Sequence, residues 1–318
     1  MIVVLAGGVG AARFLRGLAT VVAPEDLAVI VNVGDDIDLH GLRICPDIDS
    51  ITYWLTGVVN PENEWGRADE RFTVRDELVR LGHEPWFTLG DRDLALHLHR
   101  TELLARGATL SEVTKGVADR LGLTLDLVPV SDDRITTRIH TTDGRDLHFQ
   151  EWWVGERASS DVSHVEYRGA DVARPAPGVI EAIRGADAVI IAPSNPVVSV
   201  APITAVPAVA TALAATAAPV VGISPIIDGR VVRGMAHRLL PAVGTETSAA
   251  GVAAWYGARP TGGLLDAWIV DDADAASLPD VRALGLRAEA TATLLDDAAV
   301  AGSLARTTLR LVAELDGR

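Results

Sequence analysis

The chain has 318 residues, 48% of them hydrophobic, and a formal charge of −15. That is ample apolar material for a large core in one or two domains, while the acidic balance excludes general nucleic-acid binding, which needs a basic face. No apolar run reads as a membrane span, and the lone Cys45 excludes an internal disulfide framework.

The first residues, MIVVLAGG, lack the basic stretch and cleavage site of a signal peptide and read as strand one. With the single cysteine, this points to a cytoplasmic protein. An apolar run (2–7), a glycine turn, a helical ARFLRGLATVV and a second strand, LAVIVNVG, make a βαβ pattern. Helices are expected at 48–57, 69–81, 91–106 and 111–122, the last with Thr109 and Glu112 at capping-box spacing. The middle alternates as strands, with a hairpin turn at Asp143-Gly144 and HFQEWW after it. An α/β rhythm then returns. It comprises a helix from Pro177, the strands DAVIIAPSNP, APVVGISPII and LLDAWIVDD, helices near 231–240 and 246–256, and a terminal helix from about 293. The reading is α/β: one doubly wound, mostly parallel Rossmann-like domain over 1–318, with a helical and β-hairpin insertion at about 47–170.

LAGGVGAARFL sits where an open parallel sheet binds ligands, at the carboxyl end of strand one. Gly7, Gly8, Gly10 and Ala11 would bring free backbone N–H groups of the helix start to a phosphate, or simply make a tight turn. The dinucleotide fingerprint fails at Arg13, and a P-loop fails because no lysine occurs in the first hundred residues. Arg13 could add a charge-assisted contact or face solvent. A second turn, IIAPSNPVVS, offers Ser194, Asn195 and Ser199 as a second phosphate contact or as a capped helix start. His97 and His99, two apart, make a poor metal pair on a helix. Trp152 and Trp153 on a strand would point to opposite sides, one of them into the core.

The ordered set LAGGVGAARFL, VNVGDDIDLHGLRICPDIDS, LGDRDLALHLHRT, HFQEWW and APSNPVVSV resembles the 2-phospho-L-lactate transferase family of coenzyme F420 biosynthesis, in its actinobacterial phosphoenolpyruvate transferase branch. The likeness runs from residue 1 to about 270; it departs from the branch at Asp38, where a large apolar residue is usual. The resemblance implies a homodimeric, Mg²⁺-dependent enzyme. Such an enzyme joins a three-carbon phosphoacid, delivered as a guanylyl diphosphate adduct of phosphoenolpyruvate or phospholactate, to the deazaflavin Fo and releases GMP. The insertion would form part of the Fo site. A non-catalytic nucleotide-binding regulator of the same superfamily is the alternative.

That chemistry gives the acidic stretch a purpose. Phosphoryl transfer builds charge that an acidic protein supplies economically with Mg²⁺, held by carboxylates and substrate phosphate. Asp35 is the expected metal ligand, with Asp36 second, though Asp35 alone suits a ribose hydroxyl. Asp47 and Asp49 open a helix and favour its dipole. The resemblance makes Asp49 a contact to the Fo hydroxyls that orients or deprotonates the nucleophile, and gives Arg92 to Fo or to the phosphoacid carboxylate. Asp91 suits an N-cap, Asp38 a solvated loop, and His40 a phosphate donor.

Overall fold

The computed structural model describes residues 1–317. Seven parallel strands form the central sheet: β1 (Ile2–Ala6), β2 (Leu27–Val31), β3 (Asp126–Pro129), β4 (Ala188–Ile191), β5 (Val220–Ile223), β6 (Ala267–Val270) and β7 (Arg287–Ala290). Their spatial order is β7-β6-β5-β4-β1-β2-β3, so the chain winds one way from β1 to β3 and the other way from β4 to β7. This is the doubly wound α/β architecture expected from the alternating pattern, with β3 and β7 as strands not anticipated.

The inner strands are apolar on both faces, because helices cover both. Val3 to Ala6 and Val189 and Ile190 are fully buried, each larger side chain stabilising the fold by roughly 1.5–3 kcal/mol. Helix α1 (Gly8–Leu18) turns Ala11, Leu15 and Leu18 to this core. The terminal helix Ala298–Asp316 starts at its Asp297 cap, later than expected, and lies against α1 where Gly17 meets Ala301.

The stretch at 47–170 is two excursions and not one insertion, because β3 returns to the main sheet in the middle of it. The first holds a small hairpin (Ile37–Leu39, Leu42–Ile44) and helices α2 (Pro46–Leu55), α3 (Thr73–Arg80), α4 (Asp91–Ala105) and α5 (Leu110–Arg120). The Thr109–Glu112 capping box is formed. The second holds a three-stranded antiparallel sheet built from Thr136–Thr141, Asp146–His148 and Val162–Arg168. Trp152 and Trp153 lie in a wide helical turn, Glu151–Gly155, and not on a strand. No single helix among the described residues is long and apolar enough to cross a membrane.

Candidate active site

β1 and β4 are neighbours whose connections leave in opposite directions, and the crevice between their carboxyl ends is where such sheets bind ligands. The turn after β1 and the turn after β4 meet there. Gly10 approaches the Pro193 carbonyl so closely that no Cβ would fit. A Cβ on Gly7 would lie 2.5 Å from Asp47 Oδ2 and 2.7 Å from the Ser199 Cβ. Gly7, Gly8, Gly10, Arg13, Ser194, Asn195 and Ser199 all line one cavity of about 600 Å³. The Ser194 hydroxyl is buried there without a hydrogen-bond partner, as befits a group that meets a ligand. Asn195 uses its carboxamide oxygen as a cap, accepting from the Val197 and Val198 amides at 3.0 and 3.3 Å. Ala11, one residue beyond Gly10, turns its side chain into the core and does not line the cavity.

Asn32, just after β2, ties the acidic loop, the start of α2 and the turn after β4 together. Its carboxamide nitrogen donates to Asp35 Oδ1 at 3.1 Å, Asp47 Oδ2 at 2.9 Å and the Val198 carbonyl at 3.0 Å. Its oxygen accepts from the Gly34 amide at 2.7 Å. Asp35 Oδ2 accepts from Gln150 Nε2 at 3.0 Å. Burial, then repulsion from Asp47 and Asp36, lifts the Asp35 carboxyl well above the usual carboxylate range. Burial pushes Asp47 up to about 7, against the pull of the Asn32 amide and the Gly8 N–H. Two buried carboxylates therefore share one neutral amide and lack positive charge.

Asp36, expected as the second metal ligand, is not brought to the cavity. The chain reverses after Asp35, so Asp36 lies outside the cavity lining and 3.3 Å from the Arg43 guanidinium. Asp38 pairs with Arg43 at 3.5 Å and with Arg134. His40, held at φ +53° on the exposed hairpin tip, faces His83 and not the cavity.

Asp49 lines the cavity, and both its oxygens accept from the fully buried Arg100, one of them at 3.1 Å. Arg100 also lies 3.2 Å from His97 Nδ1. A guanidinium only donates, so this nitrogen accepts and the neutral imidazole carries its proton on Nε2. Burial pushes His97 down to about 4. Its folded value lies below the ordinary 6.5, so the stability it contributes is complete above pH 6.5 and is lost as pH falls towards 4. Wild type should therefore lose about 1.4 kcal/mol more than His97→Gln for each pH unit below 6.5, measured by urea unfolding at pH 7.5 and 5.5.

Arg92 is outside the site. Glu70 accepts from the Arg92 and Asp93 amides, both at 2.8 Å, plugging the start of α4. Arg92 is thereby turned outward to the Ala68 carbonyl at 3.1 Å and to exposed Asp69. Asp91 is the first residue of α4, not its cap; its carboxylate instead accepts from Thr73 and Val74, capping α3. The α4 residues that do reach the cavity are Asp93 and His97. Burial lifts Asp93 to about 6, and it accepts from the Tyr53 hydroxyl at 2.8 Å.

The far end of the cavity is aromatic. Trp86 and Phe87 meet edge to face at 5.6 Å, and Phe149 stacks on Trp153 at 5.3 Å. Trp152 is fully buried, its indole N–H on the Ser160 carbonyl at 3.1 Å, so the tryptophan pair divides between core and cavity. Several residues of this site were not singled out by sequence reasoning: Asn32, Gln150, His97 as a cavity residue, and Arg100. Asn32 carried a signal, being the one polar residue within the apolar run of strand two.

The chain is similar in fold to a crystal structure of a UPF0052 family protein from Bacillus halodurans, with a TM-score of 0.64 at 19% identity, covering 97% of this chain and 98% of that one. It is 48% identical to the phosphoenolpyruvate transferase of Streptomyces griseus, over 99% of each chain. It is 46% identical to that of Thermobifida fusca, over 100% of this chain and 99% of that one. Against the phosphoenolpyruvate transferase of Mycolicibacterium smegmatis the identity is 42%, over 98% of each. The family model described as 2-phospho-L-lactate transferase CofD matches residues 2–303. A match of that extent, on a chain whose glycine turn, acidic loop and Ser-Asn-Pro turn meet at one crevice, places the protein in the 2-phospho-L-lactate transferase CofD family, as a transferase.

Proposed function

We propose that the protein transfers a phospho-three-carbon-acid unit from its guanylyl diphosphate adduct to the terminal ribityl hydroxyl of Fo. The hydroxyl oxygen bonds to the phosphorus bearing the three-carbon acid, the bond to the guanylyl phosphate breaks, the hydroxyl proton passes to the leaving phosphate or to solvent, and GMP leaves. The product is coenzyme F420-0 or its dehydro form. The names of the relatives favour the enolpyruvyl unit over 2-phospho-L-lactyl. The observation that carries the reading is the continuity of one cavity from a phosphate cradle, past buried carboxylates, to an aromatic wall that suits a planar deazaflavin.

The turns after β1 and β4 would seat the diphosphate on backbone N–H groups and on the unpartnered Ser194 hydroxyl. Asp35 and Asp47 are the residues that would hold Mg²⁺. Among the described residues, no three His, Cys, Asp or Glu side chains are grouped to hold a metal ion. Two carboxylates short of positive charge, completed by substrate phosphate, fit a Mg²⁺ ion. When bound, the ion supplies positive charge to the phosphoryl oxygens. Asp49, fixed by Arg100, accepts the ribityl hydroxyls and sets the nucleophile in line; the site works mainly by positioning. Family membership also favours a homodimer.

The test is incubation with Fo, Mg²⁺ and each candidate guanylyl adduct, followed by product mass. The expected result is an Fo mass increased by one phospho-three-carbon-acid unit, together with GMP. Unchanged Fo with every adduct, from protein that remains folded, would overturn the reading.

A further inference from the structure

The cavity is short of cations. Its wall holds Asp35, Asp47, Asp49 and Asp93, yet Arg13 and Arg233 are the only arginine or lysine among the described residues that line it. These two side chains come from distant parts of the chain. Arg13 stands one helical turn beyond Gly10 on α1, on the face that bears the phosphate cradle. Arg233 stands in the loop that follows the small hairpin Ile226–Ile227 and Arg230–Val231, and its neighbours Val232, Gly234 and Met235 also line the cavity.

One carboxylate joins them. Glu64 pairs with Arg13 through one oxygen and with Arg233 through the other. It lies behind Arg13, beside a small side pocket, and is not in the main cavity wall. Its loop is built to present it. The Asn60 amide donates to the Gly66 carbonyl at 2.9 Å, and the Asn60 side chain accepts from the Glu62 and Asn63 amides at 2.9 and 3.1 Å. Glu64 itself is held at φ +63°, a conformation that side-chain-bearing residues rarely adopt. Arg13 is steadied further by the Trp54 ring, 5.6 Å from its guanidinium carbon.

We propose that Arg13 and Arg233 form a cationic clamp on the anionic groups of the donor, with Glu64 as the positioning residue that assembles it from behind. A guanidinium has five N–H donors, and each of these two meets a single Glu64 oxygen, which cannot take all five, so donors of both remain for a ligand. Without Glu64, two like charges would repel and the 232–235 loop would lose its tie to α1. The anion gripped is either the diphosphate or the carboxylate of the three-carbon acid; both are bidentate partners for arginine. The inference rests on the transferase reading for the identity of the donor.

The test measures binding of Mg²⁺–GDP and of the guanylyl adduct by calorimetry, and of Fo by fluorescence, for wild type, Arg233→Ala, Arg233→Lys and Glu64→Gln. Arg233 is half exposed on a loop, so its replacement leaves the core intact. Arg233→Ala should weaken adduct binding at least about 10-fold, with Fo affinity unchanged, and Arg233→Lys should recover part of the loss. Equal losses for GDP and adduct assign the clamp to the diphosphate; a loss confined to the adduct assigns it to the carboxylate. Glu64→Gln should also weaken the donor, although it removes a negative charge. Tighter donor binding in Glu64→Gln would show that Glu64 competes for the arginines, and unchanged donor binding in Arg233→Ala would remove the clamp; either result overturns the proposal. Wild-type protein that took neither nucleotide would sink the transferase reading, and the clamp with it.

Discussion

Asp35→Asn should abolish transfer while leaving the protein folded. Asp35 and Asp47 meet on the one Asn32 amide; burial lifts both carboxyls, and repulsion from Asp47 and Asp36 adds to it at Asp35. Folding keeps this unfavourable arrangement, which a divalent cation shared with a substrate phosphate would neutralise. Losing one of the two carboxylates proposed to hold Mg²⁺ should lower kcat by about 10³-fold, or about 4 kcal/mol of transition-state stabilisation. The same change relieves repulsion in the free protein, so the Tm measured without Mg²⁺ should stay level or rise. A rate within a few-fold of wild type at limiting Mg²⁺ would remove Asp35 from the metal site.

Arg100→Ala should carry the largest stability loss of any single change near the cavity. Arg100 is 1% exposed and is the common partner of Asp49 and His97. Burial opposes its charge, and Asp49 and Cys45 beside it more than restore it. Removing the guanidinium strands the Asp49 carboxylate in a buried site, at a cost of about 3–5 kcal/mol. Arg100→Met, which fills the space, combined with Asp49→Asn should cost far less, because no buried charge is left unpaired. Urea unfolding of the three proteins decides the point; a loss below about 1 kcal/mol in Arg100→Ala would mean that the pair is solvated or replaceable.

Much of the fold was legible because buried parallel strands leave continuous apolar runs and their turns leave glycine and proline. Strand β3 was not legible: DLVP is short, ends in proline at the sheet edge, and is embedded among helices and hairpins. HFQEWW continues the alternating pattern that follows the Asp143-Gly144 turn, but after His148 the chain closes into a helical turn that hides Trp152 and turns Trp153 to the cavity.

For the site, the meeting of the glycine and Ser-Asn-Pro turns at one cavity was legible, since both follow strands of an open parallel sheet at its carboxyl end. Which way a side chain faces was harder. Asp35 and Asp36 are adjacent and chemically identical, and only the reversal of the chain sends one to Asn32 and the other to Arg43. Arg92 and Arg100 lie on one helix, and Glu70, distant in sequence, decides that Arg92 points outward. Arg100 gave no sign of its burial, because a charged residue inside a protein is explained only by a partner such as Asp49, found by folding.

The account turns on the crevice between β1 and β4, and a crystal structure with Mg²⁺ and GDP tests it most directly. The diphosphate should lie on the Gly7–Gly10 and Ser194–Ser199 turns, with the ion bridging it to Asp35 and Asp47. A nucleotide bound elsewhere, or an ion with no carboxylate from the 35–47 segment, would contradict the account.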